Sequence, residues 1–176
     1  VDDKTFKKIV AILRLAVPYT GLVLSTRETP SMRRDLLELG ISQISAGSKT
    51  NPGGYEIDNE TTEQFSGSDN RSLDEIVYEL SQNDFIPSFC TACYRSGRVG
   101  KDFMDLAKPG LIKRFCNPNA LMTFKEYLLD YARAKTKEAG EMLIQQQVSE
   151  IDDEKLKEKV KKQLLEIESG KRDIHV

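Results

Sequence analysis

Residues 19–47 read YTGLVLSTRETPSMRRDLLELGISQISAG, and their order of elements decides the fold. The run 19–26 is short, apolar and rich in strand formers, which predicts a buried strand. Residues 29–40 carry the marks of a complete helix. Thr29 is the predicted N-cap, Pro30 stands at the first helical position, and Gly40 can take the left-handed turn after Leu39. Residues 41–47 predict a second strand ending on glycine. Upstream, Phe6, Ile9, Val10, Leu13 and Val17 fall at helical spacing, so 3–17 predicts an amphipathic helix that Pro18 ends.

Helix–strand–helix–strand with short joints is the rhythm of a parallel α/β sheet. Two parallel strands do not make a stable sheet alone, and a barrel of eight βα units needs roughly 250 residues. The chain has 176 residues and begins at Val. The expectation is therefore α/β: the last two βα units of a TIM-type barrel, followed by a mainly helical domain. The apolar edges of 20–25 and 41–46 would then lack neighbours, and the isolated chain is expected to be poorly soluble or oligomeric.

Residues 47–71 are rich in Gly, Asn, Asp, Ser and Thr, without a sustained period. A loop of that length is either functional or a solvated linker. The domains expected are thus 1–71, barrel with long loop, and 72–176, helical. In the second, Ser72 and Glu75 have capping-box spacing and open a helix over 72–85. Short helical pieces follow near 102–107 and 109–115, then a long stretch from 121 to 147. A last helix near 153–168 places Leu156, Val160, Leu164 and Ile167 on one stripe. The tail from Ser169 is expected to fray.

Composition excludes several classes. With 26 basic against 28 acidic residues the formal net charge is −2, which lacks the basic excess of a nucleic-acid binder. No run of about 18 apolar residues predicts a membrane span. Three cysteines do not make a disulfide framework, so a cytoplasmic setting is expected.

Those cysteines are the chemical signal. Cys90 and Cys93 form a C-x-x-C pair in SFCTACYR (88–95), and Cys116 follows. A redox dithiol would leave Cys116 unexplained and lacks a surrounding βαβ unit. Structural zinc requires four ligands, and the single histidine, His175, lies in the tail. Three buried thiols that merely pack are a further reading. Three thiolates also suit a cubane iron–sulfur cluster with one open iron. Between Cys90 and Cys116 stand Arg95, Arg98, Lys101, Lys108, Lys113 and Arg114 against Asp102 and Asp105, a cationic setting that favours thiolates. Gly97 and Gly100 would let backbone approach sulfur.

The stretch SFCTACYRSGRVGKDFMDLAKPGLIKRFCNPNALMTFKEYLLDYA (88–132) resembles the carboxyl-terminal domain of radical SAM enzymes, specifically the tyrosine lyases of FeFe-hydrogenase maturation. The spacing of Cys90, Cys93 and Cys116 matches that family's auxiliary-cluster motif. Residues 21–55 likewise resemble the last two βα units of its barrel. The resemblance implies a 4Fe–4S auxiliary cluster on the three cysteines, with an additional labile iron. It implies S-adenosylmethionine and a second 4Fe–4S cluster in an N-terminal part, since the C-x3-C-x2-C motif is absent here. The implied activity splits tyrosine into p-cresol and dehydroglycine, and makes carbon monoxide and cyanide for hydrogenase H-cluster assembly. Partners implied are that N-terminal part and the other hydrogenase maturation proteins.

Two barrel residues are candidates for substrate binding. Arg27, just past the first strand, could pair bidentately with a carboxylate, or could be an ordinary surface arginine. Ser45, near the end of the second strand, could hydrogen-bond substrate or simply line the barrel. Tyr55 and Tyr94 are aromatics near the loop and the thiols without an assigned role. The alternative from another class is a non-catalytic helical interaction domain with a structural zinc site.

Overall fold

The structure is a computed structural model, and it describes residues 1–49, 69–111 and 113–175. The chain forms two compact units, Val1–Leu73 and Asp74–Val176. The loop expected over 47–71 lies for the most part outside the described residues, and so does Tyr55.

The first unit holds α1 (Asp3–Ala16), β1 (Val23–Leu24), α2 (Pro30–Glu38) and β2 (Gln43–Ile44). Asp2 caps α1 by accepting from the Thr5 N–H, and α1 stops at Val17, before Pro18. Thr29 caps α2 by accepting from the Met32 N–H, and Pro30 occupies the first turn. Gly40 follows at φ +102°, and the Arg14 side chain fills the space where a Cβ would stand, with its Cγ 2.9 Å from that position. Arg14 exploits this approach. Its guanidinium donates to the Gly40 carbonyl at 2.9 and 2.6 Å and to the Pro18 and Thr20 carbonyls at 2.9 Å, tying the end of α1 to both turns.

β1 and β2 are parallel, with Val23 opposite Gln43 and Leu24 opposite Ile44. The ladder is much shorter than the expected strands over 19–26 and 41–47. Each strand has one partner among the described residues, so only the central pairs close regular bonds. Val10, Leu24, Met32, Leu36 and Ile41 form the buried core of this unit. Of the stripe expected on α1, only Val10 is buried. Ile9, Leu13 and Val17 stay exposed, because within this unit α1 meets a sheet only two strands wide.

The second unit is helical: α3 (Leu73–Gln82), α4 (Ala92–Arg95), α5 (Lys101–Ala107), α6 (Lys113–Asp130), α7 (Ala134–Ser149) and α8 (Glu154–Glu168). The core joins Leu121, Met122, Phe124 and Leu128 of α6 to Leu143 and Ile144 of α7, Val160 and Ile167 of α8, and Val77 of α3. Gly140 lets α7 close on α6; a Cβ there would stand 2.6 Å from Leu128 and 2.8 Å from Phe124. Within that packing the Lys125 ammonium is held by Glu141 at 2.6 and 2.7 Å and by Glu168 at 2.6 Å.

Two expectations are corrected here. The single stretch 121–147 is two helices, broken at Tyr131–Arg133. The break is tertiary: Asp74 of α3 accepts from the Arg133 N–H at 3.1 Å and the Thr136 hydroxyl at 2.9 Å, which starts a new helix there. Over its described residues the tail is tethered rather than frayed. Arg172 forks onto Asp130 at 2.7 and 2.5 Å, the Asp173 N–H donates to Glu126 at 2.6 Å, and Ile174 packs on the core. The last helix matches its expected stripe, with Val160 and Ile167 buried and Leu156 and Leu164 against the core. No helix among the described residues is long and apolar enough to cross a membrane.

Candidate metal centre

The backbone around SFCTACYR brings two thiols to one turn. Thr91 precedes the single turn of α4, where the Ser96 N–H donates to the Ala92 carbonyl at 2.9 Å. Cys90 stands just before that turn and Cys93 within it. The Arg98 N–H then returns to the Cys93 carbonyl at 2.9 Å. Gly97 and Gly100 have φ of +69° and +55°, and a Cβ at either would meet nothing within 4 Å. Both carry the chain through left-handed backbone, which suits glycine.

Cys116 comes from the first turns of α6. All three thiols line one cavity of about 340 Å³, together with Ser88, Phe103, Val99 and Arg98. Cys90 and Cys93 are half-buried, and Cys116 retains more exposed surface. No disulfide joins them. Burial of the sulfur, then the neighbouring Cys93 and Cys90, raise the pKa of the Cys116 thiol; Arg98 pulls it the other way. The Arg98 guanidinium lies 5.7 Å from the centre of the Phe115 ring.

The donor set fits a soft metal: three thiols, an apolar wall and one cation to offset thiolate charge. Among the described residues, no three Cys, His, Asp or Glu side chains are gathered closely enough to hold a single metal ion. The thiols share a cavity without meeting at one point. Of the six cationic residues expected around the site, Arg98 lines the cavity. Arg95 is ion-paired with Asp173, and Lys101 with Asp105 at 2.5 Å. The Lys113 side chain lies outside the described residues.

Arg27 and Ser45 occur in the other unit. Both follow the carboxyl ends of their strands, Arg27 after β1 and Ser45 after β2, and parallel pairing brings them to the same end of the sheet. Arg27 is exposed and Ser45 half-buried. The Ser45 N–H donates to the Leu24 carbonyl at 3.0 Å, while its carbonyl accepts from Arg33.

Sequence reading missed that arginine. Arg33 is buried and ion-paired with Asp69, which also accepts from Arg71 at 2.8 Å. Burial pushes the Asp69 carboxyl up, but Arg71 and Arg33 outweigh it and bring its pKa down to about 2. The Asp69 N–H donates to the Thr26 carbonyl, and the Gly47 N–H to the Arg71 carbonyl, so the network sits at the carboxyl ends of both strands. A signal existed: Arg33 stands beside Met32 and one turn before Leu36, on the stripe of α2 that enters the core.

Comparison with known proteins places the chain beside the following relatives. The crystal structure of HydG, a maturase of the FeFe-hydrogenase, superposes with a TM-score of 0.93 at 50% identity, covering 100% of this chain and 38% of that one. The chain resembles the carboxyl-terminal region of HydG throughout. The HydG-like stretch thus takes in all three cysteines. Residues 1–86 match the Biotin and Thiamin Synthesis associated domain, which ends short of Cys90. Over 87 residues, 49% of the chain, it is 39% identical to 2-iminoacetate synthase of Salmonella typhimurium and 36% identical to that of Escherichia coli. The chain spans 23% of the length of those synthases.

Proposed function

We propose that this chain is the carboxyl-terminal part of a radical SAM tyrosine lyase of FeFe-hydrogenase maturation, in which Cys90, Cys93 and Cys116 ligate an auxiliary 4Fe–4S cluster. One observation carries the reading: three thiols line one cavity in a chain 50% identical to HydG over its full length. Bound there by three thiolates, such a cluster supplies one iron with an open coordination position for a labile iron or a small ligand. The residues of the chain do the rest. Phe103 and Val99 give the cavity an apolar wall, and Arg98 places a positive charge beside the thiolates. Cys116, with its raised pKa, loses its proton on loading, so assembly releases protons.

The first unit suits the last two βα units of a barrel, with 1–71 as its end and 72–176 as the cluster domain. On that reading the carboxyl ends of β1 and β2 face substrate. Arg27 is proposed to pair with the carboxylate of tyrosine or S-adenosylmethionine, and Ser45 to donate a hydrogen bond to substrate. The preceding part of the enzyme would hold the second 4Fe–4S cluster and S-adenosylmethionine and start the cleavage of tyrosine. Carbon monoxide and cyanide would then be products handled at the three-cysteine domain and passed to other maturation proteins.

The test is the iron, acid-labile sulfide and zinc content of the chain after anaerobic reconstitution. About four irons with matching sulfide per chain are expected, and Cys116→Ser should lower both. Stoichiometric zinc without sulfide would overturn the cluster assignment in favour of a structural zinc domain.

A further inference from the structure

The three thiols stand on backbone of unequal firmness. Cys116 belongs to α6, whose inner face is the core of its unit. Cys90 and Cys93 belong to residues 88–111, where Ala92 is the one buried side chain among the described residues. A segment with so little burial is positioned by its tethers.

Those tethers flank the cysteines. Just before Cys90, the Phe89 N–H donates to the Thr123 hydroxyl at 3.2 Å, and the Phe89 ring stacks on Tyr127. Two residues after Cys93, Arg95 ion-pairs with Asp173 of the carboxyl-terminal tail. Asp173 is itself fixed, because its N–H donates to Glu126 of α6 and the adjoining Arg172 forks onto Asp130. Its φ of +66° turns the chain at this point. Cys116, Thr123, Tyr127 and Asp130 recur at spacings of seven, four and three, so they share one face of α6. The tail and the thiols are therefore docked along the same stripe of the same helix.

We propose that the segment 170–175 is a strap that holds the Cys90–Cys93 turn in register with Cys116, with Asp173 as a positioning residue of the thiol site. The inference rests on the reading of the three thiols as one metal site. An exposed ion pair contributes little to the stability of a well-packed protein. Here it secures a turn with almost no core of its own, so its loss is felt locally while the helices stay intact.

Amide hydrogen exchange over residues 88–98 of the metal-free chain tests the strap. The variants are Asp173→Asn, which keeps a residue tolerant of the left-handed backbone, Arg95→Gln, and the double. Roughly three- to five-fold faster exchange is expected over 88–98 in each single variant, with no further gain in the double and no change in α6 to α8. Unchanged exchange, or additive effects in the double, would overturn the pairing. Loss of protection throughout α6 to α8 would also overturn it, since Asp173 would then be serving the helical core. In the reconstituted chain, release of iron to a chelator should quicken by a similar factor in Asp173→Asn. Faster exchange with unaltered release would sink the positioning role. Failure of the wild-type chain to take up iron would instead refute the cluster assignment, and the exchange result would still decide the strap.

Discussion

Arg33 and Asp69 meet across 36 residues of chain, and neither side chain is open to solvent. The pair, with Arg71, fastens the return of the chain at residue 69 to the ends of β1 and β2. Its strength depends on Asp69 being ionised. The folded carboxyl has a pKa of about 2, below the ordinary 3.8, so its contribution is complete above the ordinary value and lost as pH falls through about 2. That shift corresponds to about 2 kcal/mol. Asp69→Asn should remove this acid-sensitive part while costing about 3 kcal/mol at neutral pH, because Arg33 is left buried with a weaker partner. Urea melts of both proteins between about pH 5 and pH 2 check the difference in slope.

The Phe89 and Tyr127 rings stack with centroids 4.9 Å apart and planes 17° apart. Phe89→Ala should cost about 1 kcal/mol, felt at the thiol segment rather than across the helical core. Faster alkylation of Cys90 and Cys93 with little change in the thermal midpoint is the expected signature.

Gly140→Ala tests how closely α6 and α7 pack. Alanine improves helix propensity by about 1 kcal/mol, but its methyl would fall 2.6 Å from Leu128 and 2.8 Å from Phe124, both fully buried. Overpacking of that kind costs about 1–3 kcal/mol, so net destabilisation is expected. A thermal midpoint raised by the substitution would show that the two side chains move aside freely.

Lys125 is drawn two ways: burial lowers its pKa, while Glu141 and Glu168 raise it by more. Its ion pairs therefore contribute fully below the ordinary lysine range and fade as pH climbs beyond it. Glu141→Gln should cost about 1–3 kcal/mol by leaving a buried ammonium with one carboxylate. Lys125→Met, which leaves two solvent-accessible glutamates, should cost less. Paired denaturation curves rank the two.

Local chemistry was legible in the sequence wherever it acted alone. Thr29, Pro30 and Gly40 mark both ends of α2 because caps and turns are decided within a few residues. The grouping of Cys90, Cys93 and Cys116 was legible from spacing, and the structure puts them on one cavity. What escaped depended on distant partners. The break before Ala134 has no Pro or Gly at 131–133 to announce it, since its cause is a carboxylate on α3. The tail looked solvated because its anchors, Glu126 and Asp130, lie more than forty residues upstream. Arg98 could be read as one of several cations near the thiols, but Phe103 could not be read as their neighbour.

α5 buries no side chain, and α4 buries only Ala92. Residues there carry few steric obligations to the helices beneath them. Among the described residues between the second and third cysteine, positions outside the cavity can therefore be substituted while the scaffold keeps its shape. A different coordination chemistry could be grafted at this place without recasting the fold that presents it.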